Sequence, residues 1–406
     1  MENTKVNSTL LKNVNRKKIL SVIDKAKSIS RVEVKNLLGK DGKTVTNIVN
    51  GLIEDGFITT IGLSSFTGGR RRKLLTINSN YGYLIGLHLG IHFIRGIITD
   101  FKYKIILEEK MPISPSESEA SLIQKIRKTL DFLIKSKSIP LKKILGIGFV
   151  ANGFYNDNTG VWINSVNNLH WKNVPIKKIL SKQYDIPIYL EDSSRSMALA
   201  EKTFGCVKDK KNYIYLDLGI GIGCGIIYQG RLYKGPMNIA GELGHTIVVP
   251  NGALCSCGNR GCLETVASGW AIKNIVKDNI LTGEKSEILD LCNEDLNKLE
   301  TDMIFKAFEN GDELASEVLE SASDYLGIGI ANLINLFNPE VIVFGGHFTT
   351  INELFLKKLK GKIKKYAMPL LFNNVKILTS SLNDNAGVLG ATTLVRDPYF
   401  YIDTIG

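Results

Sequence analysis

The amino-acid sequence predicts an α/β protein that carries a winged helix-turn-helix at its N-terminus. Residues 1–80 contain 15 lysines and arginines against 6 acidic residues, a balance of +9, and carry helical apolar patterns. Residues 81–406 have a balance of only +2 and alternate short apolar strands with amphipathic helices. A chain of 406 residues, 44% of them hydrophobic, has room for two or three domains with sizeable cores.

The first two helices are predicted from an apolar stripe and a capping pattern. Residues 14–26 repeat apolar side chains at roughly helical spacing. Ser30 and Glu33 have the spacing of a capping box, in which each residue satisfies a free backbone N–H of the other. We therefore expect a second helix that runs to about Leu38, with a turn at Gly39.

A third helix follows the turn and offers a polar face. Asp41 is placed as its N-cap and Gly56 as its C-cap, and the apolar residues between them recur at the spacing of one buried face. Two helices joined by a tight turn are typical of a helix-turn-helix, whose second helix contacts base edges and phosphates in the major groove. The candidate DNA-binding residues on the solvent face are Lys43, Thr44, Thr46, Asn47 and Asn50.

A β-wing completes this segment. Residues 57–61 and 73–77 are predicted strands, and Arg70, Arg71 and Arg72 lie at or near the tip between them. Arginines on such a tip enter an A·T-rich minor groove or pair with phosphates. Charge alone is equally compatible with a solvated basic surface, but together with the helices and the wing it favours operator DNA as a partner. Because one recognition helix reads few base pairs, we expect a homodimer on a two-fold symmetric operator, with a tetramer as the alternative assembly.

From residue 81 the pattern changes to apolar strands separated by helices. The predicted strands are two within 83–100, with Gly90 near their turn, and 144–150, 186–190, 213–218, 225–228 and 341–344. The predicted helices are 121–135, one from about Ser193, 312–337, and one from Asn385. Residues 219–225 are rich in glycine, a pattern that suits a phosphate-binding turn, although so short a pattern is weak evidence.

A candidate metal site lies between residues 241 and 264, which include GELGH and CSCGNRGCLE. Three thiols and one imidazole are the ligands of a closed tetrahedral zinc site, so the sequence predicts structural zinc. The alternatives are a loop with chance cysteines or a redox pair, but the CxxC spacing of redox motifs is absent. The candidate ligands are His245, Cys255, Cys257 and Cys262.

The same block resembles the signature of the ROK family, named for repressors, open reading frames and sugar kinases. The segment 168–171, Asn-Leu-His-Trp, also resembles a turn of that family. The resemblance implies a duplicated actin-like ATPase (ribonuclease H-like) sugar-kinase fold, with zinc on the His and three Cys. It implies three parts, listed here by residue range: a winged helix-turn-helix, 1–80; a first lobe joined by the C-terminal helix, 81–192 with 385–406; and a second lobe with the zinc site, 193–384.

By this resemblance a sugar binds between the lobes. The implied sugar-binding residues are Asp192, Glu242, His245 and Glu264, with Glu191 beside them. The kinases of the family carry Asn-Asp where this chain has Glu191 and Asp192, and a carboxylate accepts a hydroxyl proton but cannot donate as an amide does. His245 would serve both the metal and the sugar cleft.

The same comparison predicts that the chain is not a kinase. The kinases open their first lobe with Asp-x-Gly-Gly-Thr, and the corresponding stretch here has His88, Ile91 and His92. Their second glycine loop carries threonine where this chain has Ile220, and His347 stands where a further glycine is common at the adenosine site. Phosphoryl transfer depends on positioning and charge neutralisation, so these losses should remove most of the rate.

The sequence therefore favours a sugar-responsive transcriptional repressor of carbohydrate-utilisation genes. The alternatives are a sugar kinase with an accessory DNA-binding domain, and a module released from DNA by a sugar-transport protein. The resemblance favours xylose-type repressors, with glucose and N-acetylglucosamine as rival sugars. No apolar run approaches the 18 or so residues of a membrane span, and no secretory signal is evident, so a cytoplasmic location without a membrane partner is expected.

Overall fold

The computed structural model describes residues 8–63, 71–136, 139–165 and 170–401. Its N-terminal unit consists of α1 (Ser8–Ala26), β1 (Ile29–Ser30), α2 (Arg31–Leu38), α3 (Gly42–Glu54), β2 (Ile58–Leu63) and β3 (Lys73–Ile77). The three predicted helices and the two predicted strands are present, and β2 pairs antiparallel with β3. The additional strand β1, which also pairs with β3, is only two residues long and too short to show an alternating pattern.

Both predicted starts of α2 and α3 are confirmed. The Ser30 N–H donates to Glu33 Oε2 at 2.8 Å, and the Glu33 N–H donates to Ser30 Oγ at 3.4 Å. The Thr44 N–H donates to Asp41 Oδ1 at 2.8 Å. The end of α3 differs slightly from the prediction, because Asp55 is the capping residue and Gly56 follows it with φ +78°.

The N-terminal unit shares one apolar core with the chain that follows it. Ile23, Val49 and Leu75 of this unit belong to the same buried cluster as Phe101 and Val395. A boundary at residue 80 therefore passes through a continuous hydrophobic cluster. The division of the chain into 1–80, 81–192 and 193–384 stays a prediction.

Two mixed sheets of five strands follow, and they have the same topology. The first half contains β4 (Tyr83–Leu89), β5 (Phe93–Asp100), β6 (Ile105–Pro112), α4 (Glu119–Lys135), β7 (Ile144–Ala151), β8 (Phe154–Asn156), β9 (Val161–Asn164), β10 (Lys172–Val174), α5 (Ile176–Ser181) and β11 (Ile188–Asp192). The second half contains α6 (Ser193–Thr203), β12 (Tyr213–Leu218), β13 (Ile222–Tyr228), β14 (Arg231–Leu232), α7 (Glu264–Ala267), α8 (Gly269–Leu281), α9 (Ile288–Leu291), α10 (Thr301–Asn310), α11 (Glu313–Phe337), β15 (Val341–Gly345), α12 (Phe348–Ile351), α13 (Glu353–Tyr366), α14 (Pro369–Phe372), β16 (Lys376–Thr379) and α15 (Asn385–Phe400).

The strand order is β11-β7-β4-β5-β6 in the first sheet and β14-β13-β12-β15-β16 in the second. In each sheet three consecutive strands form an antiparallel meander, and two later strands add in parallel beside the first of them. The repeated order is what a duplicated α/β unit produces. Strands β8, β9 and β10 form a small separate antiparallel sheet.

The last helix, α15, packs closely on the first sheet. A Cβ atom at Gly148 of β7 would lie 1.9 Å from the Ala391 carbonyl oxygen, so this contact requires glycine. A Cβ at Gly390 would lie 2.1 Å from the Ser196 carbonyl oxygen, which brings α15 equally close to α6. Helix α15 therefore touches both the first sheet and the helix that begins the second half.

Two details differ from the sequence prediction. The glycine-rich segment 219–225 is a turn only over 219–221, because Ile222 already begins strand β13. Strand β6 was not predicted, since charged residues interrupt its apolar pattern at Glu108, Glu109 and Lys110. Among the described residues, no helix is long and apolar enough to cross a membrane.

Candidate functional site

The four predicted metal ligands come together in one cluster. His245 lies in a 3₁₀ turn, Leu243–His245, and the three cysteines lie in the loop that follows. The ligand atoms of His245, Cys255, Cys257 and Cys262 all lie within 4.8 Å of one another. A Cβ at Gly261 would lie 1.6 Å from the Val249 carbonyl oxygen, so the loop can tighten around the cluster only with glycine there.

The distances within the cluster fit a tetrahedral metal site. The Sγ atoms of Cys257 and Cys262 are 3.7 Å apart, and Cys255 Sγ is 3.5 Å from His245 Nδ1. Ligands held at the usual zinc–sulfur distance of about 2.3 Å are separated by about 3.8 Å in a tetrahedron. The residues present therefore can hold a metal ion.

A cavity of about 320 Å³ lies beside this cluster, between the two five-stranded sheets. It is lined by the β4–β5 turn, the start of α6, the β12–β13 turn, residues 241–245 and the start of α7. Four of the five predicted sugar contacts line it: Asp192, Glu242, His245 and Glu264. His245 is thus shared between the metal cluster and the cavity wall.

Two of these carboxylates are held by backbone N–H groups. Asp192 is the N-cap of α6, and its Oδ1 accepts from the backbone N–H groups of Ser194 at 2.9 Å and Arg195 at 3.2 Å. Glu264 begins α7, and its Oε2 accepts from the Ile222 N–H at 3.1 Å. Their positions are therefore fixed by local secondary structure.

The cavity is lined by several acidic side chains. Burial raises the pKa of Glu242 to about 7, and the charges of Asp192 and Glu264 add to the rise. Burial, together with the Asp192 charge, raises the pKa of Asp217 to about 6. Asp384 also lines the cavity, whereas no lysine or arginine of the described ranges does. This lining suits the hydroxyls of an uncharged ligand and repels an anionic one.

Glu191 has a different place from the one predicted. Its side chain is fully buried and does not belong to the cavity lining, because successive side chains of β11 point to opposite faces of the strand. Burial by itself would raise its pKa, but the cations of Lys234 and Arg195 outweigh burial and lower it. A direct contact between Glu191 and a ligand in the cavity is therefore not expected.

His88 lies near the end of β4. At the corresponding position, the kinases of the family that the sequence resembles carry an aspartate. The ring is buried, its Nε2 is 2.9 Å from Ser193 Oγ, and a Cβ at Gly387 would lie 2.6 Å from Nδ1. Burial, reinforced by the Arg95 charge, lowers the pKa of His88 to about 4. The imidazole is therefore neutral near pH 7. It does not provide the negative charge that a carboxylate at this position would offer to a metal–phosphate complex.

Several cavity residues were not predicted. They come from distant parts of the chain: Asn152, Asp217, Asn383 and Asp384. His347 also lines the cavity and hydrogen-bonds Asp302. The position of Asp217 near the end of a buried strand, two residues before Gly219 of the glycine turn, was the signal that could have identified it.

The candidate DNA-binding residues lie on the surface of the N-terminal unit. Lys43, Asn47 and Asn50 of α3 are exposed, and Asn50 Oδ1 accepts from an Arg31 guanidinium nitrogen at 2.9 Å. The remaining candidates are Thr44 and Thr46, which are half-buried, Arg71 and Arg72, which are exposed, and Arg70, which lies outside the described residues. Asn168 and Leu169 of the predicted turn also lie outside them.

Comparisons with known proteins identify the family of this chain. Residues 84–398 match the ROK family. The chain is 34% identical to the xylose repressor of Caldicellulosiruptor bescii, over 96% of this chain and 97% of that protein. It is 32% identical to the N-acetylglucosamine repressor of Escherichia coli O6:H1, over 96% of this chain and 94% of that protein.

Two solved structures extend the comparison to the fold. A ROK family transcriptional regulator, a homologue of the E. coli MLC protein, superposes with a TM-score of 0.81 at 27% identity, over 96% of this chain and 97% of that one. A ROK family glucokinase from Streptomyces griseus, in complex with glucose and AMPPNP, superposes with a TM-score of 0.67 at 26% identity, over 78% of this chain and 100% of that one. The α/β part therefore has the sugar-kinase-like, actin-like ATPase fold. With nearly its whole length matched, this chain belongs to the ROK family.

Proposed function

We propose that this protein is a sugar-responsive transcriptional repressor of carbohydrate-utilisation genes. The proposal rests on one observation: the N-terminal unit and the α/β body share a hydrophobic core. An N-terminal helical unit with a polar, basic surface packs directly on an α/β body that has an acidic, sugar-sized cavity. Repressors for xylose and for N-acetylglucosamine align with the whole of this arrangement, including the N-terminal unit.

The N-terminal unit is proposed to be a winged helix-turn-helix. Helix α2, the turn at Gly39 and helix α3 form the helix-turn-helix, and β2 with β3 form the wing. In this arrangement α3 enters the major groove, and the exposed Lys43, Asn47 and Asn50 meet bases and phosphates. A homodimer would place two such helices on a two-fold symmetric operator.

Neutralising the wing should weaken operator binding and flatten its dependence on salt. The variant is Arg70→Ala/Arg71→Ala/Arg72→Ala. The logarithm of the operator association constant falls linearly with the logarithm of the salt concentration, and each lost phosphate contact should reduce the steepness of this fall by about 0.9. The measurement is fluorescence anisotropy of operator DNA at several salt concentrations. Lys357, Lys360 and Lys364 on α13 are also exposed, so their triple alanine variant is a control with the same change of charge. An unchanged slope in the arginine variant would remove the wing from the interface.

The effector is proposed to be an uncharged sugar, with xylose favoured over glucose and N-acetylglucosamine. Carboxylates are hydrogen-bond acceptors for hydroxyl groups, and the cavity contributes Asp192, Glu242 and Glu264. A sugar that binds only the folded protein raises its stability by about 2.7 kcal/mol at 100 times Kd. Thermal unfolding with a panel of free and phosphorylated sugars would identify the effector, and we expect the free sugars to stabilise more.

The metal is proposed to be a structural zinc ion. The ligand set of one imidazole and three thiols leaves no open position for chemistry, and closed sites of this kind stabilise structure. Because His245 is a ligand and also lines the cavity, zinc would fix one wall of the sugar site. The protein's own residues would then make every contact with the sugar.

We further propose that the protein does not phosphorylate the sugar. The neutral His88 removes an anionic group from the phosphate site, and Ile91 places a β-branched side chain where backbone approaches phosphate. Asp192 remains as a hydrogen-bond acceptor. Purified protein with ATP, Mg²⁺ and sugar should release no sugar-dependent ADP above background. A turnover near about 1 per second, as in working kinases, would instead establish the alternative of a sugar kinase with an accessory DNA-binding domain.

A further inference from the structure

Glu191 and Arg195 form a buried ion pair at the start of α6. The Arg195 Nε atom is 2.7 Å from Glu191 Oε1, and the two side chains are 2% and 0% exposed. Neither residue lines the cavity. Desolvation of two charges usually offsets their attraction, so stability alone does not account for such a pair.

The pair holds both ends of the loop that carries Glu242. At one end, Lys234 Nζ lies 2.5 Å from Glu191 Oε2. At the other end, Arg195 Nη1 donates to the Ala240 carbonyl oxygen at 3.3 Å and lies 3.9 Å from Glu242 Oε1. The loop of residues 234–242 is therefore attached at one end to Glu191 of β11 and at the other end to Arg195 of α6, the two members of the buried pair.

The loop has little regular structure of its own. The Ala240 N–H closes it by donating to the Lys234 carbonyl oxygen at 2.9 Å. Gly241 has φ +99°, and a Cβ there would lie 2.5 Å from the Cys224 carbonyl oxygen. No sheet ladder fixes Glu242. Its carbonyl oxygen accepts from the His245 N–H at 3.1 Å, and its Oε2 lies 4.0 Å from His245 Nε2. Its other carboxylate oxygen, Oε1, is the one that lies near Arg195, so His245 and Arg195 together determine where the carboxylate of Glu242 lies.

We propose that Arg195 is a positioning residue of the sugar cleft, which fixes the carboxylate of Glu242 relative to that of Asp192. The same turn of helix holds both, because the Arg195 backbone N–H binds Asp192 while its guanidinium holds the Glu242 loop. Two acceptors at a fixed separation discriminate between sugars that differ in one hydroxyl. The inference rests on the proposed sugar binding and adds to it the source of sugar discrimination.

The test compares Arg195→Met and Arg195→Lys with the unchanged protein. The probes are D-xylose with its C4 epimer L-arabinose, and D-glucose with its C4 epimer D-galactose, titrated by calorimetry. We expect Arg195→Met to weaken binding of the preferred sugar by about 100-fold and to bring the ratio of epimer affinities close to one. Arg195→Lys keeps the charge but has only one nitrogen, so it should restore about 10-fold of the affinity.

The epimer ratio separates positioning from stability, because partial unfolding lowers the amount of active protein and not the ratio. Lys362→Met is the control, since it breaks the ion pairs of Lys362 with Glu320 and Asp324 on a distant helix pair. An unchanged ratio in a folded Arg195→Met protein, or an equal loss of ratio in Lys362→Met, would overturn the proposal. If Arg195→Met does not fold, Arg195→Lys decides the test. Sugar affinity and an epimer ratio equal to those of the unchanged protein would then overturn the proposal. If the unchanged protein binds neither these four sugars nor N-acetylglucosamine, the proposed function itself fails, and this inference with it.

Discussion

Replacing Cys257 with serine should release the metal ion and loosen the loop that contains the other ligands. Cys257 is the exposed cysteine of the cluster, so the substitution removes a thiolate ligand and leaves no buried cavity. We expect about one zinc per chain in the unchanged protein and nearly none in the variant, because three remaining ligands bind zinc far more weakly. The melting temperature and the sugar affinity should both fall, since His245 loses the ion that orients its ring.

Metal analysis by mass spectrometry and thermal unfolding provide the two measurements. Cys206→Ser is a matched control, because Cys206 is also exposed and lies outside the cluster. It should retain its zinc and its melting temperature. Protein purified without chelator that contains no metal would contradict the zinc assignment. A Cys257→Ser protein with full zinc content would contradict the ligand set.

The metal cluster was predictable because it is local in the sequence. His245 and Cys262 are the first and last ligands, and two β-bridges, Ile247 with Cys262 and Leu254 with Arg260, close the loop between them. Spacing and residue type therefore sufficed. The caps of α2 and α3 were predictable for the same reason, since Ser30 with Glu33 and Asp41 with Thr44 are close neighbours.

The cavity could be predicted only in part. Asp192 and Glu191 are adjacent in the sequence, yet one lines the cavity and the other lies buried on the opposite side of the strand. The alternation of strand side chains forbids both from facing the same cavity, but it does not reveal which one does. Asn152, Asp217 and Asp384 enter the cavity through long-range packing of two sheets, and no local pattern specifies that.

The hydrophobic core that the N-terminal unit shares with the α/β body could not be predicted from the sequence either. A basic segment with its own helices indicates a separate domain, and the apolar residues that connect it to the body are ordinary core residues in each part. The contact becomes visible in the structure, at Phe101 and along α15. Arg396 of that helix donates to Asp24 of α1 through Nη1 at 3.1 Å and Nη2 at 2.8 Å, and its guanidinium lies 4.2 Å from the centre of the Phe400 ring.

These contacts give the sugar cavity a physical connection to the DNA-binding unit. Ser196 of α6, the helix capped by Asp192, donates to the Gly387 carbonyl oxygen of α15 at 3.1 Å. The other end of α15 contains Arg396. A sugar that closes the two halves and shifts α6 would therefore move α15, and α15 is bound to α1. Such a connection explains how sugar could lower operator affinity, and reciprocity then requires operator DNA to lower sugar affinity by the same factor.

Replacing Asp24 with asparagine should weaken this coupling while leaving both binding sites intact. Asp24 touches neither the cavity nor the predicted DNA face, and its side chain is 29% exposed, so the neutral amide is tolerated there. In the unchanged protein we expect sugar to lower operator affinity by a factor in the usual range of about 5 to 150. The variant should retain the operator affinity measured without sugar and lose about 0.5–2 kcal/mol of coupling, as substitutions between coupled sites do.

Anisotropy titrations of operator with and without D-xylose, or with whichever sugar stabilises the protein, give the factor directly. Asp55→Asn is the control, because it makes the same change of charge and the partner of Asp55, Arg16, belongs to the same N-terminal unit. Equal sugar responses in the Asp24→Asn and unchanged proteins would show that the coupling does not pass through this ion pair.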